Sequence, residues 1–316
     1  MTAPSVTAPP SVSYVVTVYN KRAFLPQVVA GLAAQRGDFG REFVFIDDGS
    51  TDGSAAEIER LTAGWPHVRI IAQPNQGSSG ATNRGLAEAQ FPYIKLVDAD
   101  DVLLPDATSR LLTALMNHEG AVLAYGQTEF YATPQDALDR LAAPAGPARA
   151  ARFEPDPLAS QLLRGFGIGP SNSLFAAEAA RAVGGCDRRV FTQDYSLVLR
   201  LATKGPFVAI DDIVALCPAV AEGRVNDGGP QILHDVNLTL AYFLEERPLA
   251  PALARNAIRR ATTRAYHWAR RREGAGFFSY WTWLRLLAEL PHPTSRLVKA
   301  SCGAFTLSRP VRRSAA

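Results

Sequence analysis

Tyr93-Ile94-Lys95-Leu96-Val97-Asp98-Ala99-Asp100-Asp101 is an apolar run that stops in three carboxylates. An extended run of this kind reads as a buried strand, and acids at its carboxyl end stand where open α/β sheets bind their ligands. Like charges this close repel one another unless a cation joins them. Mg²⁺ or Mn²⁺, held by one or two carboxylates and completed by water and phosphate oxygens, meets that need. The expected guest is a metal-bound diphosphate.

A second strand end repeats the pattern. Glu42-Phe43-Val44-Phe45-Ile46 is apolar and β-rich and ends in Asp47-Asp48-Gly49-Ser50-Thr51-Asp52-Gly53-Ser54, a turn-rich segment that opens into a helix. Upstream, Val12-Ser13-Tyr14-Val15-Val16-Thr17-Val18 ends at Tyr19-Asn20-Lys21, again polar at its carboxyl end. Asp47 and Asp48 also have a plainer reading, as an Asx turn and a cap on the next helix. Three such ends together favour a ligand-binding edge. Strands expected near 12–18, 42–47, 68–73, 93–98 and 121–130 alternate with helical patterns near 24–36, 54–63, 78–90 and 105–118. That alternation implies a doubly wound, mostly parallel α/β sheet. Gly77-Ser78-Ser79-Gly80 opens the third helix, where backbone amides and the positive dipole end suit an anion. A Gly/Ser turn before a helix is equally an ordinary connection.

Val16-Thr17-Val18-Tyr19-Asn20, Phe45-Ile46-Asp47-Asp48-Gly49-Ser50-Thr51-Asp52, Asn75-Gln76-Gly77 with Asn83-Arg84-Gly85, and Asp98-Ala99-Asp100-Asp101 follow one another in an order and spacing that resemble the family 2 glycosyltransferases. Those are inverting enzymes with a GT-A, Rossmann-like fold. The resemblance is strong over residues 11–120, looser to about 215 and lost beyond. It implies that Thr17, Tyr19 and Asp48 hold a nucleobase, that Asp100 holds ribose or metal, and that Asp101 holds metal. Asn20, Asn83 and Asp98 join the nucleotide-sugar site. With the composition of the two ends, the chain is expected to divide into a disordered amino terminus (1–10), a nucleotide-sugar half (11–130), an acceptor and catalytic-base half (131–215), and a lid with a helical basic region (216–316).

Phe191-Thr192-Gln193-Asp194-Tyr195 opens an apolar helix. Read alone, Thr192 is an N-cap and Asp194 complements the helix dipole. By resemblance, with Gly184-Gly185-Cys186-Asp187 before it, Asp194 matches the catalytic base, while Gln193 replaces the customary glutamate. One positioned carboxylate suffices to take the proton of an attacking hydroxyl. A cation on the diphosphate would stabilise the leaving group, and one-step displacement would invert the anomeric centre. Arg224, in the polar glycine-rich run to Gly229, is a candidate phosphate partner on a lid. His234 is the nearest match to a histidine that approaches the diphosphate in many relatives, and its helical setting also suits an ordinary histidine. Residues 132–157, with five prolines, read as a mobile excursion. The stretch from Gly165 to Asn172 reads equally as a sugar-binding loop or a glycine-rich connection.

The architecture is shared by sugar nucleotidyltransferases, which usually begin with a glycine-rich loop followed by Arg and Lys, where this chain has Thr17-Val18-Tyr19-Asn20. A non-catalytic sugar-nucleotide-binding subunit is opposed by the intact Asp98, Asp100, Asp101 and Asp194. The 316 residues, 47% hydrophobic, allow a large α/β domain with an appended region. Three cysteines without a Cys-x-x-Cys pair indicate neither a disulfide framework nor a zinc site. A cytoplasmic location is expected, since no signal-like amino terminus and no stretch of about 18 apolar residues is present.

Net charge of +3 conceals an uneven distribution: residues 251–316 carry thirteen Lys and Arg against two acids, or +11, which leaves −8 for residues 1–250. Two helices are expected there, Pro251 to Arg272 and Phe277 to Leu290, the second rich in aromatics. Such a tail either lies on an anionic membrane at the inner face of the cell membrane or packs on the catalytic domain. No nucleic-acid recognition motif accompanies it. The expected partners are therefore a nucleotide diphosphate sugar, a saccharide or lipid-linked acceptor and, on the first reading of the tail, a membrane.

Overall fold

Strands form where β-branched and aromatic residues run without polar interruption. The computed structural model describes residues 9–144, 146–164, 167–219, 229–272 and 274–305. In chain order the elements are β1 (Ser11–Val18), α1 (Leu25–Ala33), β2 (Gly40–Asp47), α2 (Ser54–Leu61), β3 (Val68–Ala72), α3 (Gly77–Glu88), β4 (Tyr93–Asp98), β5 (Val102–Leu103), α4 (Ala107–Met116) and β6 (Leu123–Tyr131). They continue as α5 (Pro134–Ala142), β7 (Ala151–Glu154), α6 (Pro157–Arg164), β8 (Ser173–Ala176), α7 (Ala177–Ala182), α8 (Gln193–Leu201) and β9 (Phe207–Pro218). Four helices close the series: α9 (Gly229–Glu246), α10 (Pro251–Arg272), α11 (Tyr280–Leu287) and α12 (Ser295–Ser301).

The chain forms two compact units. The first draws on Met1–Pro155, Ile168–Gly185 and Lys204–Val220 and contains the sheet, in the order β3-β2-β1-β4-β8-β6-β9-β5, with β7 added on β9. Strands β3, β2, β1 and β4 run parallel, whereas β8 is antiparallel to both β4 and β6. The parallel half is covered on both faces, which is why β1 is buried along most of its length. Its core gathers Val12, Tyr14, Val16, Phe43, Phe45 and Val97 with Leu25, Leu32 and Leu111 from the helices. Helix α3 lies so close to β1 that a Cβ on Gly85 would fall 2.1 Å from Val15 Cγ1.

Residues 132–157 are not the excursion their prolines suggest. Pro134 takes the first helical position of α5, where a missing N–H costs nothing, and Thr133 Oγ1 accepts the Asp136 N–H at 3.2 Å. Ala137 and Leu141 then join Tyr131, Val102 and Leu216 in a small core, and β7 pairs with β9.

The second unit draws on Asp156–Gly167, Cys186–Thr203 and Ala221–Ala316 and is helical. Leu162, Tyr195, Leu199, Val236, Leu240, Phe243, Ile258 and Val298 share one core. Buried Asn237 joins three helices: its amide donates to Ala261 O and Ser301 Oγ, and its oxygen accepts from Arg264. Among the described residues, no helix is long and apolar enough to cross a membrane.

Candidate active site

Register aligns the three polar strand ends in the first unit. Thr17 pairs with Ile46 on one side and with Asp98 on the other, and Val18 pairs with Asp47. The carboxyl ends of β1, β2 and β4 therefore finish level, at the edge where parallel α/β sheets bind ligands. Tyr19 is half exposed just beyond β1. Asn20 follows at φ 51°, a left-handed conformation that asparagine tolerates better than most residues. It is held there by donating its N–H to Ser50 Oγ and accepting the Thr51 N–H at 2.8 Å.

The two aspartates after β2 divide their work. Asp47 Oδ1 accepts the Ser50 N–H, the local turn bond. Asp48 reaches across to the β3–α3 connection and accepts from Gln73 Nε2 and from the N–H groups of Gln76 and Gly77, at 2.7 to 2.8 Å. The anion at the start of α3 is thus the chain's own carboxylate, which takes the Gly77 amide that the sequence offers to a ligand. Asn83, on α3, lies against the Gly185 turn, where a Cβ would come 2.3 Å from its Oδ1.

At the end of β4 the three acids form a tight turn, with Asp101 N–H donating to Asp98 O at 2.9 Å and Tyr131 OH donating to Asp100 O at 2.9 Å. Lys21 Nζ donates to Asp100 Oδ2 at 2.7 Å, so a cationic side chain already meets one of the acids. A second lysine underlies the turn. Lys95 is fully buried in β4, and its Nζ donates to Ser171 O at 2.5 Å while Ser171 Oγ accepts the Asp98 N–H at 3.0 Å. Burial lowers the Lys95 pKa to about 7 against the opposing pull of Asp101 and Asp98. These bonds fasten the segment around Ser171 to the acidic strand end.

No three His, Cys, Asp or Glu side chains among the described residues come together as a ready metal cage. The donor set nevertheless suits a hard cation, since Mg²⁺ and Mn²⁺ need only one or two carboxylates when phosphate and water complete the shell. The ion pair at Asp100 shows that this turn accepts positive charge. Asp100 and Asp101 are the residues that would hold the ion.

In the second unit Asp194 is the second residue of α8. Thr192 occupies the N-cap position without a side-chain capping bond, and its hydroxyl is buried without a partner. Asp194 Oδ1 accepts the Tyr195 N–H at 2.8 Å. Burial raises the Asp194 pKa, opposed by backbone hydrogen bonds from Tyr195 and from its own N–H. A carboxylate whose pKa is raised takes a proton more readily than an exposed one. Gln193 is buried beside it. His234, buried in α9, directs Nδ1 to Asp235 at 2.7 Å, and Asp235 accepts the Phe191 N–H at 3.1 Å, which anchors the turn before α8. His234 thus stands in a network that steadies the α8 start. Arg224 lies outside the described residues.

Lys21, Lys95 and Asp235 are site neighbours with no motif of their own, and Ser171 belongs to the Gly165 to Asn172 stretch without standing out in it. Lys95 carried a visible signal, a lysine inside an otherwise apolar strand. The Ser171 bond to Asp98 has no local signal, because the two residues are 73 apart in sequence.

A mixed sheet with acids at level parallel strand ends and a helical carboxyl-terminal region defines a GT-A type glycosyltransferase fold. Residues 13–182 match the model of Glycosyl transferase family 2, and the chain belongs to that family. It is 33% identical to the succinoglycan biosynthesis protein ExoO of Rhizobium meliloti (strain 1021) over 113 residues, 35% of this chain and 32% of that protein. The segments aligned with curated relatives span between 12% and 48% of those proteins' length. Among solved structures, S. aureus TarS 1-349 in complex with UDP-GlcNAc superposes with a TM-score of 0.60 at 15% identity, covering 88% of this chain and 78% of that one. The mannosyltransferase PcManGT from Pyrobaculum calidifontis, in complex with GDP-Man and Mn²⁺, gives 0.56 at 17% identity, covering 96% and 87%.

Proposed function

We propose that the chain moves a sugar, with inversion, from a UDP-linked nucleotide sugar to a saccharide or lipid-linked acceptor in the assembly of a cell-surface polysaccharide or lipopolysaccharide. The reaction takes place at the cytoplasmic side and depends on a divalent cation. The observation that carries this reading is the register that sets Thr17 beside Asp98 and Val18 beside Asp47, with the Asp98 to Asp101 turn at the same edge. The UDP-GlcNAc and Mn²⁺ seen in fold neighbours support the choice of donor and metal.

Thr17, Tyr19, Asn20, Asp48, Asn83 and Asp98 bind and orient the nucleotide sugar. Asp100 and Asp101 hold the cation, which supplies Lewis-acid charge to the diphosphate. Asp194 removes the acceptor hydroxyl's proton as the new glycosidic bond forms. Because burial raises its pKa, the acid limb of the transfer rate is expected at a higher pH than for an exposed aspartate. A panel of UDP-, GDP- and other nucleotide sugars tests the reading through Mn²⁺-dependent release of nucleoside diphosphate. Turnover is expected with a UDP sugar. Turnover that is equal with and without Mn²⁺, or none with any donor, would oppose it.

A further inference from the structure

The second unit carries an apolar surface that its own core does not use. Helix α11 packs inward through Thr282 and Leu284, with Ala288 at its carboxyl cap, all buried. Its other face presents Tyr280, Trp283, Leu286 and Leu287, followed by Leu290, each between 43% and 57% exposed. At 100° per residue Tyr280, Trp283, Leu286 and Leu287 fall within about one third of the helix circumference, a continuous stripe, and Leu290 follows just past the helix end. Phe277 and Phe278, 64% and 83% exposed, extend it on the amino side. Exposed apolar residues gathered in this way mark an interaction site rather than ordinary surface scatter.

Charge beside the stripe selects the partner. Arg270, Arg271 and Arg272 end α10 and are exposed. Arg270 and Arg285 both lie over the Tyr266 ring, at 5.7 and 5.2 Å, which sets the basic end of α10 next to α11. Glu289, the acid nearest the stripe in sequence, is paired with Arg259 at 2.8 Å. A second copy docking by two-fold symmetry would set this basic region near itself, at an electrostatic cost. An aromatic and leucine face bordered by arginines instead matches the interface of an anionic bilayer, where rings sit at headgroup depth and guanidinium groups meet phosphate.

We propose that α11, with Phe277, Phe278 and the Arg270 to Arg272 cluster, is a membrane-docking surface that seats the chain on anionic phospholipid. This rests on the transferase reading only for its purpose, which is access to a lipid-linked acceptor. Because Ala288, Val298 and Ser301 are buried in the second unit, deleting the tail would damage the fold, and point changes on the exposed face are the suitable probe.

The experiment is sedimentation of the full chain with vesicles of phosphatidylcholine alone or with about one third phosphatidylglycerol, at low and high salt. The wild type should sediment with the anionic vesicles and be released by salt. F278S/W283S should bind about tenfold more weakly, the loss expected on withdrawing two rings from an interface. Changing Arg270, Arg271 and Arg272 to Gln should remove the preference for phosphatidylglycerol. Both variants should keep the wild-type melting temperature and UDP binding, which separates this proposal from the donor site. Equal sedimentation of wild type and variants, no binding to anionic vesicles, or a wild-type dimer that F278S/W283S dissociates would overturn it.

Discussion

In the role proposed for it, Asp194 would serve catalysis at the expense of stability. Its pKa is raised in the folded chain, so between the unfolded and folded values the native state binds more proton than the unfolded state, and stability falls as pH rises through that window. Above the window the charge remains unfavourable. Asp194→Asn keeps the acceptor for the Tyr195 N–H and removes the charge, so the variant should melt at a higher temperature than wild type at neutral pH. Transfer should fall by roughly 10²- to 10⁴-fold while UDP binding is retained. Thermal melts and paired rate and binding assays check both halves; near-normal transfer would reduce Asp194 to a residue that only complements the helix dipole. Lys95 works in the opposite direction. With its pKa lowered to about 7, the folded chain releases a proton that the unfolded chain keeps up to the ordinary lysine range of about 10.4. Stability should therefore gain from this residue as pH rises through that interval, and Lys95→Met should flatten the pH dependence of Tm there. An unchanged slope would show that Lys95 does not titrate in the folded chain.

At the scale of elements, the parallel half of the sheet was legible because its strands are apolar runs separated by helical periods, and β1, β2, β3 and β4 fall within about two residues of their expected positions. The acidic ends of β2 and β4 were legible for the same reason: a carboxylate after an apolar run is conspicuous. What sequence concealed depends on distance. Four-residue β7 has no periodic signature, and its strand state comes from pairing with β9 more than fifty residues on. Helix α5 hid behind Pro134, a residue that breaks a helix interior but suits its first turn. The lysine bonds to residues 170 and 171 and the Asp48 bonds to Gln76 and Gly77 are tertiary contacts with no local pattern. Packing of α3 on β1 yields a sharp expectation. Gly85→Ala, a good substitution for an isolated helix, places a methyl 2.1 Å from Val15 Cγ1 and should destabilise the chain by about 1–3 kcal/mol. A chemical denaturation midpoint equal to wild type would mean that the two elements are not in close contact.

Across the whole molecule, charge is divided between sequence regions: −8 in residues 1–250 and +11 in residues 251–316. The acidic part includes the strand ends proposed to hold the donor's metal, while the basic part includes the proposed lipid surface. This division bears on how donor binding must be measured, because a diphosphate is attracted to any cluster of arginines. Such attraction is weakened by salt and needs no divalent ion. Binding at the Asp98 to Asp101 turn differs in kind: the ligand is an anion approaching carboxylates, and it requires the cation between them. Calorimetric titration of UDP into the full chain at physiological salt, with and without Mn²⁺, in wild type and in Asp101→Ala, separates the two. A metal-bridged donor site at this turn requires saturable binding that depends on Mn²⁺ in wild type and is lost in Asp101→Ala without a change in melting behaviour. Binding that is equal in both proteins, or that proceeds equally well without the metal, would contradict it.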